Sequence, residues 1–147
     1  MTPETVFQIV NTAVLPVWLA LAVFPRAVWT QRLAVALPAA LVAVYAAAIA
    51  LGWGRGGFGS LAGVAALFQS PWALLAGWVH YLAFDLLIGA WEARDAGERC
   101  VPAWALVPCL ALTFLFGPVG WGLYLLVRTV RGRTPAAQAA PSLAART

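Results

Sequence analysis

The stretch GWVHYLAFDLLIG, residues 77–89, places a histidine and a carboxylic acid inside an apolar run. His80 is the only histidine in the chain. An ionisable side chain near the centre of a membrane helix costs about 2.5 kcal/mol or more, so it usually faces the helix bundle and marks a functional site or a necessary pair. Removed from water, Asp85 could donate a proton and neutral His80 could accept one, or the roles could be reversed. His80 and Asp85 are therefore the candidate catalytic residues.

Helical spacing decides which side chains accompany these two groups. At about 100° per residue, one stripe of the helix carries five residues at spacings of three, four and seven: Trp78, Tyr81, Asp85, Gly89 and Glu92. His80 lies about 140° from Asp85, so the two cannot form a close pair within one helix. We expect both to border one elongated cavity, walled by Trp78, Tyr81 and Trp121.

A second polar stripe lies near the N-terminus, where Glu4, Gln8 and Asn11 follow one another at helical spacing. Each polar group finds a partner rather than lipid if this stripe faces the Asp85 stripe. The spacing therefore predicts that Gln8 and Asn11 pack toward Asp85 and makes Asn11 a candidate substrate-binding residue. Interhelical hydrogen bonding that only fixes the bundle is the favoured alternative for Gln8 and Asn11.

Long apolar segments must position these residues. The 147 residues are 63% hydrophobic and 10% charged, with a mean hydropathy of +0.87, whereas soluble domains carry about 25% charged residues. Crossing a bilayer takes about 20 helical residues. Four segments are long enough, at about residues 5–24, 32–52, 72–91 and 104–127. The predicted fold is an all-α integral membrane four-helix bundle, forming one transmembrane domain over residues 1–131.

The remaining segments do not cross. Residues 60–69 are apolar but too short, which predicts a small interfacial helix between the second and third spans, capped by Ser60. Residues 132–147 are of low complexity and are predicted to be disordered. Within the fourth span, FLFGPVGWG contains Pro118 between glycines; a kink that serves packing is favoured there over a broken helix that lines a site.

Charge and cysteine usage exclude several functions. All nine basic residues are arginines, and most flank apolar segments, so the net charge of +4 is weak evidence for nucleic acid. The two cysteines fit neither a disulfide framework nor a zinc motif, and one histidine with scattered acids gives no metal site. In the charged connection after residue 91, Arg94 or Arg99 is expected to pair with Glu92, Asp95 or Glu98.

The block LAGWVHYLAFDLLIGAWEARDAGER, followed by VPCLALTFLFGPVGWGLYLLVR, resembles the abscisic-acid-deficient-four-like family of small membrane proteins. The resemblance covers about residues 58–128 and depends on the W-x-H-Y-L-A-F-D-L and F-G-P-x-G elements together. Plant members of this family are required for making the xanthophyll neoxanthin. The resemblance adds Arg94 and Asp95 to His80 and Asp85 as matched polar positions, with Gly117 and Pro118 as matched shape-setting positions.

The resemblance implies a role in carotenoid metabolism, as an isomerase-type enzyme that converts an epoxide-bearing end ring into an allene. That reaction needs an acid and a base but no cofactor. The expected partners are a carotenoid or other isoprenoid lipid, the membrane, and carotenoid enzymes or further copies of the chain. The short chain favours a bacterial member in the inner membrane.

Two alternatives to an enzyme stay open. One is a non-catalytic membrane partner that presents carotenoid to an enzyme. The other is a small proton or solute conductor with a polar path through Glu4, Asn11, His80 and Asp85.

Overall fold

The computed structural model describes residues 1–54 and 56–131, and all regular secondary structure in those ranges is helical. The predicted disordered segment 132–147 lies outside the described residues. The six helices are α1 (Pro3–Val23), α2 (Val28–Gly52), α3 (Leu61–Leu67), α4 (Pro71–Glu98), α5 (Ala103–Phe116) and α6 (Pro118–Arg131).

Local sequence signals set several helix starts. The Thr2 side chain accepts a hydrogen bond from the Thr5 backbone N–H at 3.2 Å, and Pro3 occupies the first turn of α1. Ser60 caps α3 as predicted, because its hydroxyl oxygen accepts from the Gly63 N–H at 3.0 Å. Pro71 opens α4 in the same way that Pro3 opens α1.

Three helices, α1, α2 and α4, are long and apolar enough to cross a membrane. Their positions agree with the predicted segments 5–24, 32–52 and 72–91. The main difference is at the end of α4, which continues to Glu98. This extension keeps Glu92 and Asp95 helical and buried against the rest of the bundle.

Helix α4 lies at the centre of the bundle and packs against α1, α2, α5 and α6. Its contacts with α1 fix the register of two parallel helices. Phe7 and Trp78 have ring centroids 5.7 Å apart, and eleven residues further along each helix the Trp18 ring lies over Gly89. Asn11 therefore lies about level with Leu82, roughly one turn before Asp85.

The predicted fourth span is divided. Instead of one helix over 104–127, α5 ends at Gly117 and α6 folds back on it as a helical hairpin. Gly117 has φ 46° and ψ −99°, values that favour glycine. The hairpin brings Arg131, at the end of α6, to 5.3 Å from the ring centre of Trp104, at the start of α5. The favoured interpretation of this segment as a packing kink is therefore wrong.

Because the hairpin turns back, it places Arg128 and Arg131 at the same end of the bundle as the start of α5. The end of α1, the start of α2, the end of α4, the start of α5 and the end of α6 all lie at one end, which we call the arginine-rich end. It carries six of the nine arginines: Arg26, Arg32, Arg94, Arg99, Arg128 and Arg131. We call the opposite end, where α1 and α4 begin, the α3 end.

Candidate functional site

Asp85 lies against the break between α5 and α6. Its side chain is buried, with the residue 6% exposed. A Cβ placed on Gly117 would stand 2.8 Å from Asp85 Oδ1 and 3.3 Å from Oδ2, so the carboxyl group fills the space that a side chain at Gly117 would need. Asp85 Oδ2 is buried and has no hydrogen-bond partner among residues 1–54 and 56–131. The predicted inward orientation of Asp85 is confirmed.

Tyr81 connects Asp85 to the aromatic side chains of α1 and α4. One turn before Asp85, its hydroxyl donates a hydrogen bond to the Phe114 carbonyl oxygen at 3.1 Å. The Tyr81 ring lies 5.4 Å from the ring of Trp78, which in turn contacts Phe7. Trp78 and Tyr81, both predicted binding residues, therefore lie in contact with each other on α4, within two helical turns before Asp85.

Glu92 is a second acid on the Asp85 face of α4, two turns further along. It is fully buried, and its Oε1 accepts a hydrogen bond from Thr113 Oγ1 at 2.9 Å. Its Oε2 is buried without a partner. Because Thr113 lies one turn before Gly117, the last turn of α5 bridges the two acids: Glu92 contacts its start and Asp85 contacts its end.

Asp95 is tied into a network at the arginine-rich end. Tyr124 Oη donates to Asp95 Oδ2 at 2.6 Å, while Arg99 Nε and Arg128 Nη2 lie 3.0 and 3.1 Å from Oδ1. The predicted pairing of Arg99 with Asp95 is confirmed, whereas Arg94 is exposed. Since α4 and α6 both contribute to this network, Asp95 holds the hairpin in place.

His80 lies on a different face of α4 from Asp85. It is exposed and stacks on Phe84 at 4.5 Å, with the Tyr45 ring 5.7 Å away on α2. The expectation that His80 and Asp85 border one cavity is not met, because the angle of about 140° between them turns His80 toward α2 while Asp85 meets the hairpin. Asp85 therefore contacts the hairpin at Gly117, whereas His80 lies against Tyr45 of α2.

The polar stripe of α1, formed by Glu4, Gln8 and Asn11, was predicted to face Asp85. This prediction is wrong. Gln8 is exposed and donates to Glu4 Oε1 at 2.9 Å, so it is satisfied within its own helix. The buried face of α1 is instead formed by Val10, Val14, Val17, Trp18 and Leu21, and Asn11 is half-buried at its edge. Trp121, a predicted cavity wall, is 42% exposed near the start of α6.

Two apolar grooves adjoin near the α3 end. The α1 groove, of about 770 Å³, lies between the start of α1 and α4 and includes Phe7, Leu74 and Trp78 in its walls. The α2 groove, of about 370 Å³, lies between α2 and α4 and includes Tyr45 and His80. Phe68 and Gly77 line both grooves. The α1 groove ends at Trp78, whose ring lies 5.4 Å from the ring of Tyr81.

The sequence places Glu92 on the Asp85 stripe but does not mark it as a site residue, and it gives no site role to Thr113, Gly120 or Tyr124. The signal for Glu92 was present, because it lies seven residues after Asp85 on the same stripe. Because the predicted span ends at residue 91, the sequence places Glu92 in the charged connection that follows it. Thr113, Gly120 and Tyr124 reach the site only through the hairpin, which no local pattern specifies.

We expect Glu92→Gln to leave stability nearly unchanged and Glu92→Ala to lower it by about 2–4 kcal/mol. Glutamine keeps the acceptor for Thr113 and the side-chain volume, whereas alanine leaves a cavity and removes the acceptor. Thermal unfolding in detergent measures both variants. Equal destabilisation by the two substitutions would mean that the charge of Glu92 itself is required.

Comparison with known families gives one match. A family model described as ABA DEFICIENT 4-like matches residues 5–124. Comparison with curated proteins and with solved structures finds no match.

Proposed function

The chain belongs to the ABA DEFICIENT 4-like family, and we propose that it binds a carotenoid or related isoprenoid in the membrane and isomerises an oxygenated end group of that ligand. The observation that carries this proposal is the buried Asp85 carboxyl, whose Oδ2 has no partner beside a helix break. A buried polar atom without a hydrogen bond is costly and calls for an explanation, and a functional role is one.

The chemistry of an epoxide-bearing ring suits a single carboxylic acid. Opening the epoxide breaks one C–O bond, and the oxygen takes a proton to become a hydroxyl group. A neighbouring carbon loses a proton, and its electron pair completes the new double bond of the allene. One oxygen of Asp85 donates the first proton and its other oxygen accepts the second, so the acid is regenerated and no redox cofactor takes part.

The apolar part of the ligand needs a separate surface. The α1 groove offers one, because it is lined mainly by apolar side chains and ends at Trp78, whose ring contacts Tyr81. Ligand sites are typically apolar with a few polar groups that set orientation. A polyene along this groove would direct its end group past Tyr81 to Asp85.

A non-catalytic carrier of carotenoid is the second candidate. It is favoured by the separation of His80 from Asp85, which removes the predicted second acid–base group from the site. A carrier and an isomerase would both bind pigment through the α1 groove, and conversion of that pigment distinguishes them. A proton or solute conductor is less favoured. Glu4 accepts a hydrogen bond from Gln8 within α1, and His80 lies on a different face of α4 from Asp85, so these groups do not form one polar path.

Extraction of the purified protein tests ligand binding. We expect protein purified from a carotenoid-producing host to retain an isoprenoid pigment in amounts approaching one per chain, identified by mass spectrometry of the organic extract. An apolar groove of about 770 Å³ that ends at Trp78, two helical turns before the unpartnered carboxyl group of Asp85, supports that expectation. A colourless preparation, with only bulk phospholipid in the extract, would contradict the proposed ligand class.

We further propose three membrane crossings, by α1, α2 and α4, with the α5–α6 hairpin entering from the arginine-rich end and α3 lying at the opposite interface. Each hairpin helix has 14 residues and spans about 21 Å, less than a hydrocarbon core of about 30 Å. The arginine-rich end would face the cytoplasm under the positive-inside rule.

This topology predicts that Cys100 and a cysteine at the end of α6 react from the same side of the membrane. Cys100 is exposed, and Arg131→Cys in a Cys100→Ser background reports on α6. We expect a membrane-impermeant maleimide to label both from the cytoplasmic side.

The matched control at the α3 end is Gly59→Cys, again with Cys100→Ser. A Cβ at Gly59 meets no atom within 4 Å, and we expect labelling from the opposite side. Labelling of Arg131→Cys from the same side as Gly59→Cys would instead support four crossings.

A further inference from the structure

We propose that the break between α5 and α6 is a binding site for one oxygen atom of an apolar ligand, built from the Asp85 carboxyl and the first backbone N–H groups of α6. The ligand oxygen would belong to a hydroxyl group, an epoxide or a carbonyl group. This inference deepens the proposed function and rests on it for the ligand class.

The start of α6 supplies donors. Pro118 has no N–H, and the Trp121 N–H donates to the Gly117 carbonyl oxygen at 3.2 Å. Between them, Val119 and Gly120 lie in the first turn of α6, where the N–H groups of a helix have no acceptor within the helix itself. The N-terminus of a helix also carries a partial positive charge. An oxygen atom that accepts two N–H groups would satisfy both.

Asp85 supplies the second half of the site. Its carboxyl group stands against Gly117, directly before the first residue of α6, and Oδ2 is buried without a partner. The carboxyl group and the N–H groups therefore converge on one short segment, residues 117–120. A hydroxyl group can donate to a carboxylate while it accepts from N–H groups, and an epoxide or carbonyl oxygen can accept from both the N–H groups and a carboxylic acid.

The surroundings favour an apolar ligand over a free ion. Around the turn, Leu115, Phe116 and Val119 are 58–60% exposed, so the turn opens onto lipid-facing side chains rather than charged ones. Tyr81, which contacts Phe114 next to the turn, leads to the α1 groove. A molecule that arrives through lipid would carry its oxygen into an otherwise apolar site, as ligand sites with few orienting polar groups do.

The test compares two polyenes that differ only in ring oxygens, β-carotene and zeaxanthin, by tryptophan fluorescence quenching of the protein in phosphatidylcholine nanodiscs. We expect zeaxanthin to bind about 10-fold more tightly, which corresponds to about 1.4 kcal/mol. We expect Gly117→Ala to abolish that preference, since its Cβ would stand 2.8 Å from Asp85 Oδ1 at a residue with φ 46°. β-Carotene binding by the same variant measures whether it folds, because β-carotene has no oxygen atom to place in this site.

Two further variants keep the test decisive. Gly122→Ala is the matched control in the same helix, because a Cβ there meets no atom within 4 Å, and it should keep the preference. Asp85→Ala should lose the preference even if Gly117→Ala fails to fold. Equal affinity of the wild-type protein for the two polyenes would overturn the oxygen site, and so would a preference that survives Asp85→Ala.

The oxygen site and the isomerase activity can fail separately. Selective binding of zeaxanthin without conversion of any epoxide ligand would support the oxygen site and contradict the isomerase activity. Conversion of an epoxide ligand by a protein that binds the two polyenes equally would support the isomerase activity and contradict the oxygen site. A preference that increases when phosphatidylcholine is replaced by an ether-linked lipid would show that lipid ester carbonyl groups compete for the same oxygen site.

Discussion

Asp85→Asn should give a folded protein that binds its ligand and turns it over about 10²- to 10⁴-fold more slowly. Asparagine preserves the shape of the side chain against Gly117 and can still hydrogen-bond. It cannot donate and then regain a proton, and general acid–base groups contribute about that factor to a rate. Single-turnover conversion of a bound epoxide-bearing carotenoid measures the change directly.

The control for Asp85→Asn is Glu98→Gln, the same chemical change at the exposed end of α4. It should leave turnover within about 2-fold, since Glu98 is exposed and lies about 20 Å along α4 from Asp85. Retained ligand binding by Asp85→Asn, measured by fluorescence quenching, separates lost chemistry from lost structure. Full turnover by the folded Asp85→Asn protein would contradict a catalytic role for this residue.

Gly120→Ala should destabilise the protein strongly, because α6 packs directly against the α5 backbone at Gly120. A Cβ there would overlap the backbone nitrogen and Oγ1 of Thr113 and would stand 2.5 Å from the carbonyl carbon of Leu112. The overlap is mainly with backbone, which cannot rotate away as a flexible side chain would. Overpacking typically costs about 1–3 kcal/mol, and we expect at least the upper value.

Thermal unfolding of Gly120→Ala in detergent measures the loss, with Gly122→Ala as the matched control. Both positions lie in α6, but a Cβ at Gly122 meets no atom within 4 Å. Gly122→Ala should therefore be neutral or slightly stabilising, since alanine is the better helix former by about 1 kcal/mol. Similar unfolding temperatures for the two variants would show that the hairpin does not pack closely at Gly120.

The long helices were predictable because each depends on local composition alone. Residues 5–24, 32–52 and 72–91 are continuous apolar runs, and the structure has helices over each of them. Ser60 was predictable as a cap for the same reason, since its hydroxyl contacts the backbone only three residues later.

The hairpin was not predictable because its determinants are distant in sequence. FLFGPVGWG indicates only that the helix is weakened near Pro118. Whether the chain continues or turns back depends on the Tyr124 contact to Asp95, across 29 residues, and on the close approach of Gly120 to Thr113. The span length of about 20 residues also fitted one straight helix, so length gave no warning.

The candidate site was half predictable. Helical spacing correctly grouped Tyr81, Asp85 and Glu92 on one stripe, because all three belong to α4. Spacing within α4 gives no information about which other segment faces that stripe. The sequence predicts the polar stripe of α1 there, whereas the structure has the break between α5 and α6 at Gly117. Gln8 does not need Asp85, because Glu4 satisfies it within α1.

The most direct test of the account is to incubate the purified protein in nanodiscs with an epoxide-bearing carotenoid and to separate the products by chromatography with mass detection. Isomerisation moves atoms without adding or losing any, so we predict a new product of unchanged mass. It should form without added cofactor at a rate that falls at least about 10²-fold in Asp85→Asn. Recovery of the unchanged epoxide from protein that visibly binds it would contradict the proposed isomerase activity and favour a non-catalytic carrier of carotenoid.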